Sequence, residues 1–588
     1  MKEKLREKVE LALRELLDAV GDSAALPNFA IEVPRQKDHG DFSCNAAMLL
    51  AKRLRKKPRE IAEDLKQRLG DGGGLIGSLE IAGPGFLNIQ LVSSSWHDLL
   101  HDVIAAGARY GRQGHPPEPS GADEEKSATR KVQVEFVSAN PTGPLSTGHG
   151  RQAILGDCIA RLLEATGWDV TREYYFNDGG RQMRLLGESV KARYLERLGL
   201  VASPTKESLS DPEKNWKDEI DGLPVAFPKD GYQGDYIKDI AGGLLESEGD
   251  SLVDEPGEGR FREEAQRVIF EDISRTLTRI GIDFDVFFNE RSLYDEGKLE
   301  EAIDDLRSAG LIYDFEGAVW FKATDRGLER DRVVVRSNGE PTYLMPDIAY
   351  HRDKWRRGFD LVIDVQGADH IEQFPYVRAA TAALGVPSEQ IELVMHQFVT
   401  ITSDGERVKQ STRKATFVTI DELVDDVGRD VFRFFMIERK PDGHLDFDLD
   451  LAKDKNWRKN PAFYIQYAHA RTFGIERKAE EAGVVMPEAH AFDATRLALD
   501  EEIALVRKLA TFPDVVRRAA ESREPHHVAY YLREIAGLWN PYLQDGDRHR
   551  VLSDDAELSA ARLGLALAVR GVLASGLALL GLDAPERM

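Results

Sequence analysis

The chain has 588 residues, 42% of them hydrophobic, so it is long enough for three or four domains with cores of their own. Its two cysteines, Cys44 and Cys158, lie far apart in apolar-patterned segments, which excludes a disulfide framework or a cysteine-based zinc site and indicates core residues in a reducing compartment. The net charge of −24 argues on its own against a nucleic-acid binder, but phosphate contacts need only a local basic strip, and acidity also suits a cationic small substrate.

The N-terminal unit, residues 1–108, is predicted to be an α+β domain. Its first eight residues are charged and amphipathic and lack the apolar core of a signal peptide, so we expect a cytoplasmic protein. His39 is better explained as a loop histidine that caps a turn than as a catalytic group. The predicted elements are a helix at 2–19, a turn at 39–45, a helix at 45–69 and a short strand at 83–89.

A linker and a βαβ unit come next. Residues 109–130 have the Pro-rich, acidic composition of a linker. Apolar runs at 132–137 and 170–176 predict strands on either side of a helix at 151–164. The intervening turn, 140–150, ends at the helix N-terminus, where free N–H groups and the helix dipole favour an anion such as a polyphosphate. Taken alone, such a turn is equally well explained as a tight connection.

The rest of the central region, 131–454, continues the alternation of strands and helices. Residues 184–300 are largely helical and polar and are interpreted as an insertion between two halves of one domain. A polar loop with a basic run, 409–414, follows the apolar region 393–401. Further strands are predicted at 331–336, 360–365 and 391–395, a pattern typical of a doubly wound parallel sheet.

The C-terminal region, 455–588, has a helical pattern throughout. Its most apolar stretch, 563–582, is interrupted by Arg570 and ends in a polar tail, which favours a buried bundle helix over a membrane span. We therefore expect no membrane contact.

Two short motifs give the chain a family resemblance. Ser146-Thr147-Gly148-His149 resembles the HIGH signature of class I aminoacyl-tRNA synthetases, and residues 409–413 (KQSTR) resemble their KMSKS signature. More narrowly, residues 135–145 (EFVSANPTGPL) look like the arginyl-tRNA synthetase version of the first motif. Serine stands where the first histidine of HIGH is usual, and Thr412 stands at the second lysine of KMSKS. The resemblance covers essentially the whole chain, with the motifs in family order.

The resemblance implies a multidomain α/β fold. A class I Rossmann-like parallel-sheet catalytic domain would lie between an α+β domain that contacts the tRNA corner and an all-α anticodon-binding bundle, and the insertion would cover the tRNA acceptor end. The implied activity is that of an arginine–tRNA ligase, which joins L-arginine and ATP to form arginyl-adenylate and transfers arginine to tRNA(Arg), usually with tRNA needed for both steps. Two alternatives stay open: a weakened paralogue that binds tRNA or arginine without efficient turnover, and a class I synthetase for another amino acid. We expect a monomer.

The resemblance also implies an ATP site. Adenylation gathers negative charge on the phosphates, so catalysis needs positive charge and N–H donors around them. The implied catalytic residues are Ser146, His149, Lys409, Arg413 and Lys414; because Thr412 lacks an ammonium, we expect Arg413 and Lys414 to supply its charge. ATP, which would bring Mg²⁺, is expected to contact Pro141, Gly148, His149, Gly150, Gly367, Asp369, His370, Lys409 and Ser411. A metal site at Asp369, His370 and Glu372 is a weaker alternative, and no protein-bound metal is predicted.

A guanidinium presents five donors in a fork, so a selective pocket needs carboxylates and a flat or hydroxylated wall. The resemblance implies an arginine pocket of Glu135, Ser138, Asn140, Tyr343 and Asp347, with Asp347 and Glu135 at the guanidinium and Asn140 at the α-amino group. Asp347 has a second explanation, as a helix N-cap after Pro346.

Contacts with tRNA are expected from the start of the C-terminal region, where aromatic and basic side chains can stack on bases or meet phosphates. At helical spacing the same residues are often core. They are Tyr464, Tyr467, His469 and Arg471.

Overall fold

The computed structural model describes residues 1–588 apart from 35, 37–38, 113–129, 369–370, 409–417 and 547. The N-terminal elements are α1 (Lys2–Asp18), β1 (Ile31–Glu32), β2 (Phe42–Cys44), α2 (Ala46–Leu54), α3 (Pro58–Leu69), β3 (Ile76–Ala82), β4 (Phe86–Leu91) and α4 (Ser93–Ala106). The strands form an antiparallel sheet of order β1–β2–β4–β3. The helix predicted at 45–69 is in fact two, because Arg55 takes a left-handed φ of 53° and Pro58, which has no N–H for a preceding turn, begins the second. His39 is exposed in a loop.

The first half of the central region contains the predicted βαβ unit. The elements are β5 (Lys131–Glu135), α5 (Thr147–Ala165), β6 (Asp169–Phe176), α6 (Gly180–Arg197), α7 (Lys206–Ser210), α8 (Pro212–Asn215), β7 (Glu219–Ile220), β8 (Leu223–Pro224), α9 (Asp235–Glu248), α10 (Arg262–Arg279) and β9 (Val286–Asn289). Strand β6 pairs in parallel with both β5 and β9. The predicted insertion, 184–300, therefore contains a strand of the central sheet.

The second half completes that sheet and adds a separate one. The elements are α11 (Arg291–Asp295), α12 (Lys298–Ser308), β10 (Ile312–Phe315), β11 (Ala318–Phe321), β12 (Arg332–Val335), α13 (Leu344–Arg356), β13 (Leu361–Gly367), α14 (Phe374–Ala383) and β14 (Ile391–His396). The parallel sheet has the order β14–β13–β5–β6–β9, so the strand order reverses between β13 and β5. In open α/β sheets, ligands bind at the carboxyl ends of the strands at such a reversal.

The strand predicted at 331–336 forms, but not in the parallel sheet. It is β12, which pairs antiparallel with β11 in a three-stranded sheet of order β10–β11–β12. A run of three valines looks the same in either setting, because periodicity reports burial and not the identity of the neighbouring strand.

A short connecting segment leads to the C-terminal helices. Its elements are β15 (Val399–Ser403), β16 (Glu406–Arg407), α15 (Ile420–Val427), α16 (Arg429–Ile437), β17 (Leu445–Asp448) and α17 (Leu449–Lys453), with β15 between β16 and β17. The helices that follow are α18 (Pro461–Glu481), α19 (Asp500–Ala510), α20 (Phe512–Ser522), α21 (His526–Tyr542) and α22 (Ala556–Leu579).

Helix α22 contains most of the predicted apolar stretch. It is the one helix of the described residues that is long and apolar enough to cross a membrane by length and composition. However, 78% of its most apolar window is buried inside the protein, where it packs against α18, α21 and α4. Its Arg570 is paired with Glu476 at 2.9 Å. The helix is therefore the centre of the bundle, as predicted.

Candidate active site at the carboxyl edge of the parallel sheet

The chain makes a strained turn directly after β5. Val137 has φ 69° and Ser138 has φ 41°, and the Ser138 N–H donates to the Phe136 carbonyl at 3.0 Å. A positive φ is costly for a β-branched residue, and such outliers cluster at functional sites. Because of this turn, the Ser138 hydroxyl donates a hydrogen bond to Glu135 Oε1 at 2.9 Å. The same hydroxyl oxygen accepts a hydrogen bond from the Tyr175 N–H at 3.2 Å. The strain thus positions Ser138 between the ends of two neighbouring strands.

Glu135 is buried at the end of β5, where an unpaired charge would be costly. Its partner is Lys354 of α13, whose Nζ lies 2.5 Å from Glu135 Oε2 and 2.7 Å from Asp364 Oδ1. His351 Nε2 lies 2.6 Å from Asp364 Oδ2. Although burial alone would raise it, Lys354 and His351 hold the pKa of Asp364 well below its usual range. Glu135 is therefore part of a buried charge network, and its carboxylate is already neutralised by Lys354.

Asp347 is on the first turn of α13 and has a different environment. Gln373 donates a hydrogen bond to its carboxylate, and no Lys or Arg of the described residues pairs with it. Burial, reinforced by the charges of Glu135 and Glu290, raises the pKa of Asp347 to about 6. A carboxylate with this environment attracts a cation more strongly than Glu135 does.

Glu290, which directly follows β9, is a further carboxylate of this site. Tyr175 Oη donates to Glu290 Oε2 at 2.7 Å, and Glu290 has no Lys or Arg partner within the described part of the chain. Burial and the nearby charges of Glu290, Asp347 and Glu135 raise the pKa of Tyr175. These carboxylates therefore lie near one phenol and form an acidic cluster at the sheet edge. Sequence reasoning missed Glu290 because it assigned residues 184–300 to an insertion and did not recognise β9, the strand that carries it to the sheet edge.

Tyr343 and Asn140 are the other two residues expected to bind arginine. Tyr343, at the N-terminus of α13, is 82% exposed and lines a cavity of about 1060 Å³ together with Gln373 and Tyr376. Gln373 therefore connects the open cavity with Asp347. Asn140 accepts the Asn177 N–H at 2.9 Å and donates to Gln182 at 2.9 Å, so its amide is fixed at the carboxyl ends of β5 and β6.

The start of α5 holds His149 through Ser146, the N-cap residue. The Ser146 N–H donates to His149 Nδ1 at 3.2 Å, and Ser146 Oγ lies 3.2 Å from the same nitrogen. Because Nδ1 accepts a backbone N–H, the ring proton is on Nε2. Burial lowers the pKa of His149, so the imidazole is neutral at physiological pH. His149 is thus oriented as an N–H donor, and Ser146 serves to orient it.

The glycines of this motif differ in their surroundings. A side chain at Gly150 would meet Phe432 at 2.8 Å, so this glycine permits α5 to pack against α16. A side chain at Gly148 would meet only Ser146 Oγ at 3.7 Å, which leaves that backbone open to a ligand. Pro141 is buried within the turn, and Gly367 ends β13 on the other side of the strand-order reversal. Of these four, Gly148 and Gly367 have the more accessible backbone.

Several predicted residues lie outside the described residues. The residues that follow 409–417 pair with the start of α5. The Thr147 N–H donates to the Val418 carbonyl at 3.3 Å, and the Ile420 N–H donates to the Leu145 carbonyl at 3.0 Å. The segment that follows the basic motif is therefore paired with the segment that leads into His149. The predicted residues outside the described part are Lys409, Ser411, Thr412, Arg413, Lys414, Asp369 and His370.

Comparison with known proteins identifies the family. Residues 120–446 match the profile of the catalytic domain of class I (R) tRNA synthetases, 3–91 the arginyl tRNA synthetase N-terminal domain and 465–588 the DALR anticodon binding domain. An arginine–tRNA ligase of Desulfotalea psychrophila is 47% identical over 95% of this chain and 95% of its own length, and one of Salinibacter ruber is 44% identical over 99% and 100%. The chain belongs to the arginyl-tRNA synthetase family.

A solved structure agrees with this assignment. The arginyl-tRNA synthetase of Thermus thermophilus is 25% identical to the chain, with coverage of 100% of both chains and a TM-score of 0.73. The predicted fold class, a class I parallel-sheet domain between an N-terminal α+β domain and a C-terminal helical bundle, is confirmed.

The four residues expected to contact tRNA fall into two groups, one that makes contacts inside the helical bundle and one that is partly exposed. His469 is buried, with Nδ1 2.9 Å from the Pro585 carbonyl, and Arg471 donates to the carbonyls of Asn540 and Leu543 at 3.0 and 3.2 Å. Both therefore hold the bundle together. Tyr464 and Tyr467 stack on Trp457 at ring-centroid distances of 6.0 and 4.0 Å and remain partly exposed. Tyr464 also lines a groove of about 470 Å³ with Arg458, Lys459 and Arg533.

Proposed function

We propose that the chain activates L-arginine with ATP and transfers it to tRNA(Arg). In the first step an arginine carboxylate oxygen attacks the α-phosphorus, the bond to the β-phosphate oxygen breaks, and pyrophosphate leaves. In the second step a hydroxyl of the terminal tRNA ribose attacks the carbonyl of arginyl-adenylate and AMP leaves. The observation that supports this substrate is the acidic cluster at the sheet edge, in which Asp347 and Glu290 have no Lys or Arg partner among the described residues.

Arginine would bind with its guanidinium between Asp347 and Glu290. Each carboxylate can accept charge-assisted hydrogen bonds from the planar fork, and Tyr175 fixes the orientation of Glu290. Glu135, neutralised by Lys354, would define the polar floor through Ser138. Asn140 would meet the α-amino end, and the exposed ring of Tyr343 would cover the bound amino acid from the cavity side.

ATP would lie across the strand-order reversal between β5 and β13. The exposed backbone of Gly148 and the N–H donor of His149 suit the ribose and phosphates, and Mg²⁺ would enter with the nucleotide as part of the substrate. Ser146 carries no charge. The positive charge that stabilises the leaving pyrophosphate anion would therefore come from Lys409, Arg413 and Lys414. Asp369 and His370 are proposed to face the adenosine.

tRNA would contact the enzyme at two places. The groove of Tyr464, Arg458, Lys459 and Arg533 combines aromatic faces with positive charge, as a single-stranded loop requires. The cavity beside Tyr343 leads to the arginine pocket and is large enough for the acceptor end. We further propose a monomer in the cytoplasm, and a first step that depends on tRNA.

A substrate comparison tests the proposal. The purified protein would be assayed for aminoacylation of tRNA(Arg) and for pyrophosphate exchange with and without tRNA, using arginine, lysine and citrulline, the neutral urea analogue of arginine. Aminoacylation with arginine and none with citrulline is the expected result. Tight tRNA binding without aminoacylation would instead favour the weakened paralogue, and charging with another amino acid would refute the proposed specificity.

A further inference from the structure

Outside the active site, one cluster of side chains has the composition of a metal site. It consists of Glu524, in the turn between α20 and α21, and His526 and His527, the first two residues of α21. Each of the three offers a ligand atom within 4.8 Å of the other two. His527 Nε2 lies 2.8 Å from Glu524 Oε2, and the two imidazole ring centroids are 4.3 Å apart.

The backbone of this turn is well defined. Arg523 ends α20 with a left-handed φ of 57°, the Glu524 N–H donates to the Ala519 carbonyl at 3.0 Å, and Pro525 fixes the entry into α21. The three side chains are therefore presented from a rigid connection, and only their rotamers need to change when a ligand binds.

His526 provides an independent indication of a ligand. Its side chain is 3% exposed, it packs against the ring of Tyr530 at 5.3 Å, and its Nδ1 has no hydrogen-bond partner within the described part of the chain. A buried polar nitrogen without a partner is costly, so its presence calls for an explanation. A ligand at the cluster would account for keeping two adjacent histidines at this position.

We propose that Glu524, His526 and His527 bind one divalent transition-metal ion of the zinc class. Two imidazoles and a carboxylate are a ligand set that Zn²⁺ and Co²⁺ accept, with a fourth position left to solvent. A tetrahedral zinc shell places neighbouring ligand atoms about 3.3 Å apart, so modest rotation of the partly exposed Glu524 and His527 would close the site. The open position would face the adjoining groove of about 530 Å³, which Glu524 lines together with Asp442.

The surrounding charges are mixed. Lys440 Nζ lies 3.4 Å from Glu524 Oε1, and its side chain is 60% exposed. Arg523 is held by Glu392 at 3.0 Å, and Arg518 is the remaining cation near His526. A bound metal ion would take the place of the Lys440 ammonium, which is free to move into solvent.

The position of the cluster connects it with the active-site helix. Lys440 is in the loop after α16, and its carbonyl accepts a hydrogen bond from Arg151 of α5 at 2.9 Å. Arg151 follows His149 by two residues in the sequence. A metal ion that displaces Lys440 from Glu524 would therefore release the ion pair between this loop and the cluster, next to the carbonyl that holds Arg151. The sequence predicts no protein-bound metal, and the spacing of Glu524, His526 and His527 matches no familiar zinc motif.

Metal titration of the full-length protein tests the site. After treatment with a chelator, the protein would be titrated with Co²⁺, whose visible absorption reports tetrahedral coordination, and then with Zn²⁺ in competition. Glu524→Ala and His527→Gln would be compared with His444→Gln, which removes an exposed histidine whose Nε2 lies 3.1 Å from Asp446. This control matches the histidine–carboxylate pairing but lies outside the cluster.

The expected result is one Co²⁺ per chain with an intense visible band that Zn²⁺ displaces, a Kd that rises roughly ten- to a hundredfold in each cluster variant, and no change in His444→Gln. Zn²⁺ should also raise the Tm of the wild-type protein and not that of the cluster variants. Absence of a tetrahedral spectrum, or equal loss of binding in His444→Gln, would overturn the proposal. His526→Ala is omitted because its buried side chain can affect folding. Metal binding is measured without turnover, so these outcomes are independent of the proposed aminoacylation.

Discussion

The substitution Asp347→Asn tests the central electrostatic feature of the arginine pocket. It keeps the size of the side chain and an oxygen that can accept the Gln373 hydrogen bond, but it removes the negative charge. A hydrogen bond to a charged group contributes about 1.5–3 kcal/mol, so losing two charge-assisted bonds to a guanidinium costs about 3–5 kcal/mol. We therefore expect the KM for arginine to rise by about two to three orders of magnitude, with the KM for ATP changed little.

The same substitution should stabilise the free enzyme. Burial raises the pKa of Asp347 to about 6 from an ordinary value of 3.8, so at neutral pH its ionised form is held at a cost of about 3 kcal/mol. Asparagine removes this cost, so the free energy of unfolding should increase by up to about 3 kcal/mol in urea denaturation. Opposite changes in binding and stability would distinguish a functional carboxylate from a structural one.

The assay is aminoacylation at varied arginine concentration, with urea unfolding measured on the same preparations. Asp314→Asn is a suitable control because Asp314 is an exposed carboxylate that pairs with Arg307 on the surface. An arginine KM within threefold of the wild type, or a loss of stability in Asp347→Asn, would show that Asp347 holds the fold and is not a guanidinium ligand.

Four further changes test the site and its basic motif. Because the folded pKa of Asp347 is about 6, kcat/KM for arginine should fall as pH decreases through 6, and a pH profile of Asp347→Asn should lack that step. Glu290→Gln should raise the arginine KM by at least tenfold with kcat less affected, as steady-state kinetics would show. Lys354→Met should lower the free energy of unfolding by about 3–5 kcal/mol in urea titrations, since buried Glu135 loses its cation and Asp364 keeps only His351. Arg413→Ala and Lys414→Ala should each slow pyrophosphate exchange at least tenfold, and unchanged rates would show that neither replaces the missing lysine ammonium.

Much of the architecture could be predicted from local pattern. The period of apolar residues predicted the βαβ unit and most of the bundle, because burial on one face leaves a direct trace in the sequence. The error at residues 331–336 has a physical reason: three consecutive valines satisfy an antiparallel sheet as well as a parallel one. The break at Arg55 was readable in principle, since Pro58 can only begin a helix.

The site was predictable only in part. The motif around His149 and the carboxylate of Asp347 could be selected by resemblance, and the structure places both at the carboxyl edge of the sheet. Glu290 could not, because its relevance depends on a strand at 286–289 that is too short and weakly patterned to be recognised. His469 and Arg471 were chosen for their chemistry, but their carbonyl contacts in the bundle are decided by packing.

The sequence by itself determined the chemistry available at the active site: a neutral serine in place of a histidine, a threonine in place of a lysine, and carboxylates suited to a cation. Only the tertiary structure decided which of those carboxylates are paired with a lysine or arginine. Lys354 reaches Glu135 from 219 positions away in sequence and neutralises it, whereas Asp347 and Glu290 receive no such partner among the described residues. Electrostatic energy depends on distance in space and on burial, so two carboxylates that are equivalent in sequence acquire opposite roles once the chain is folded.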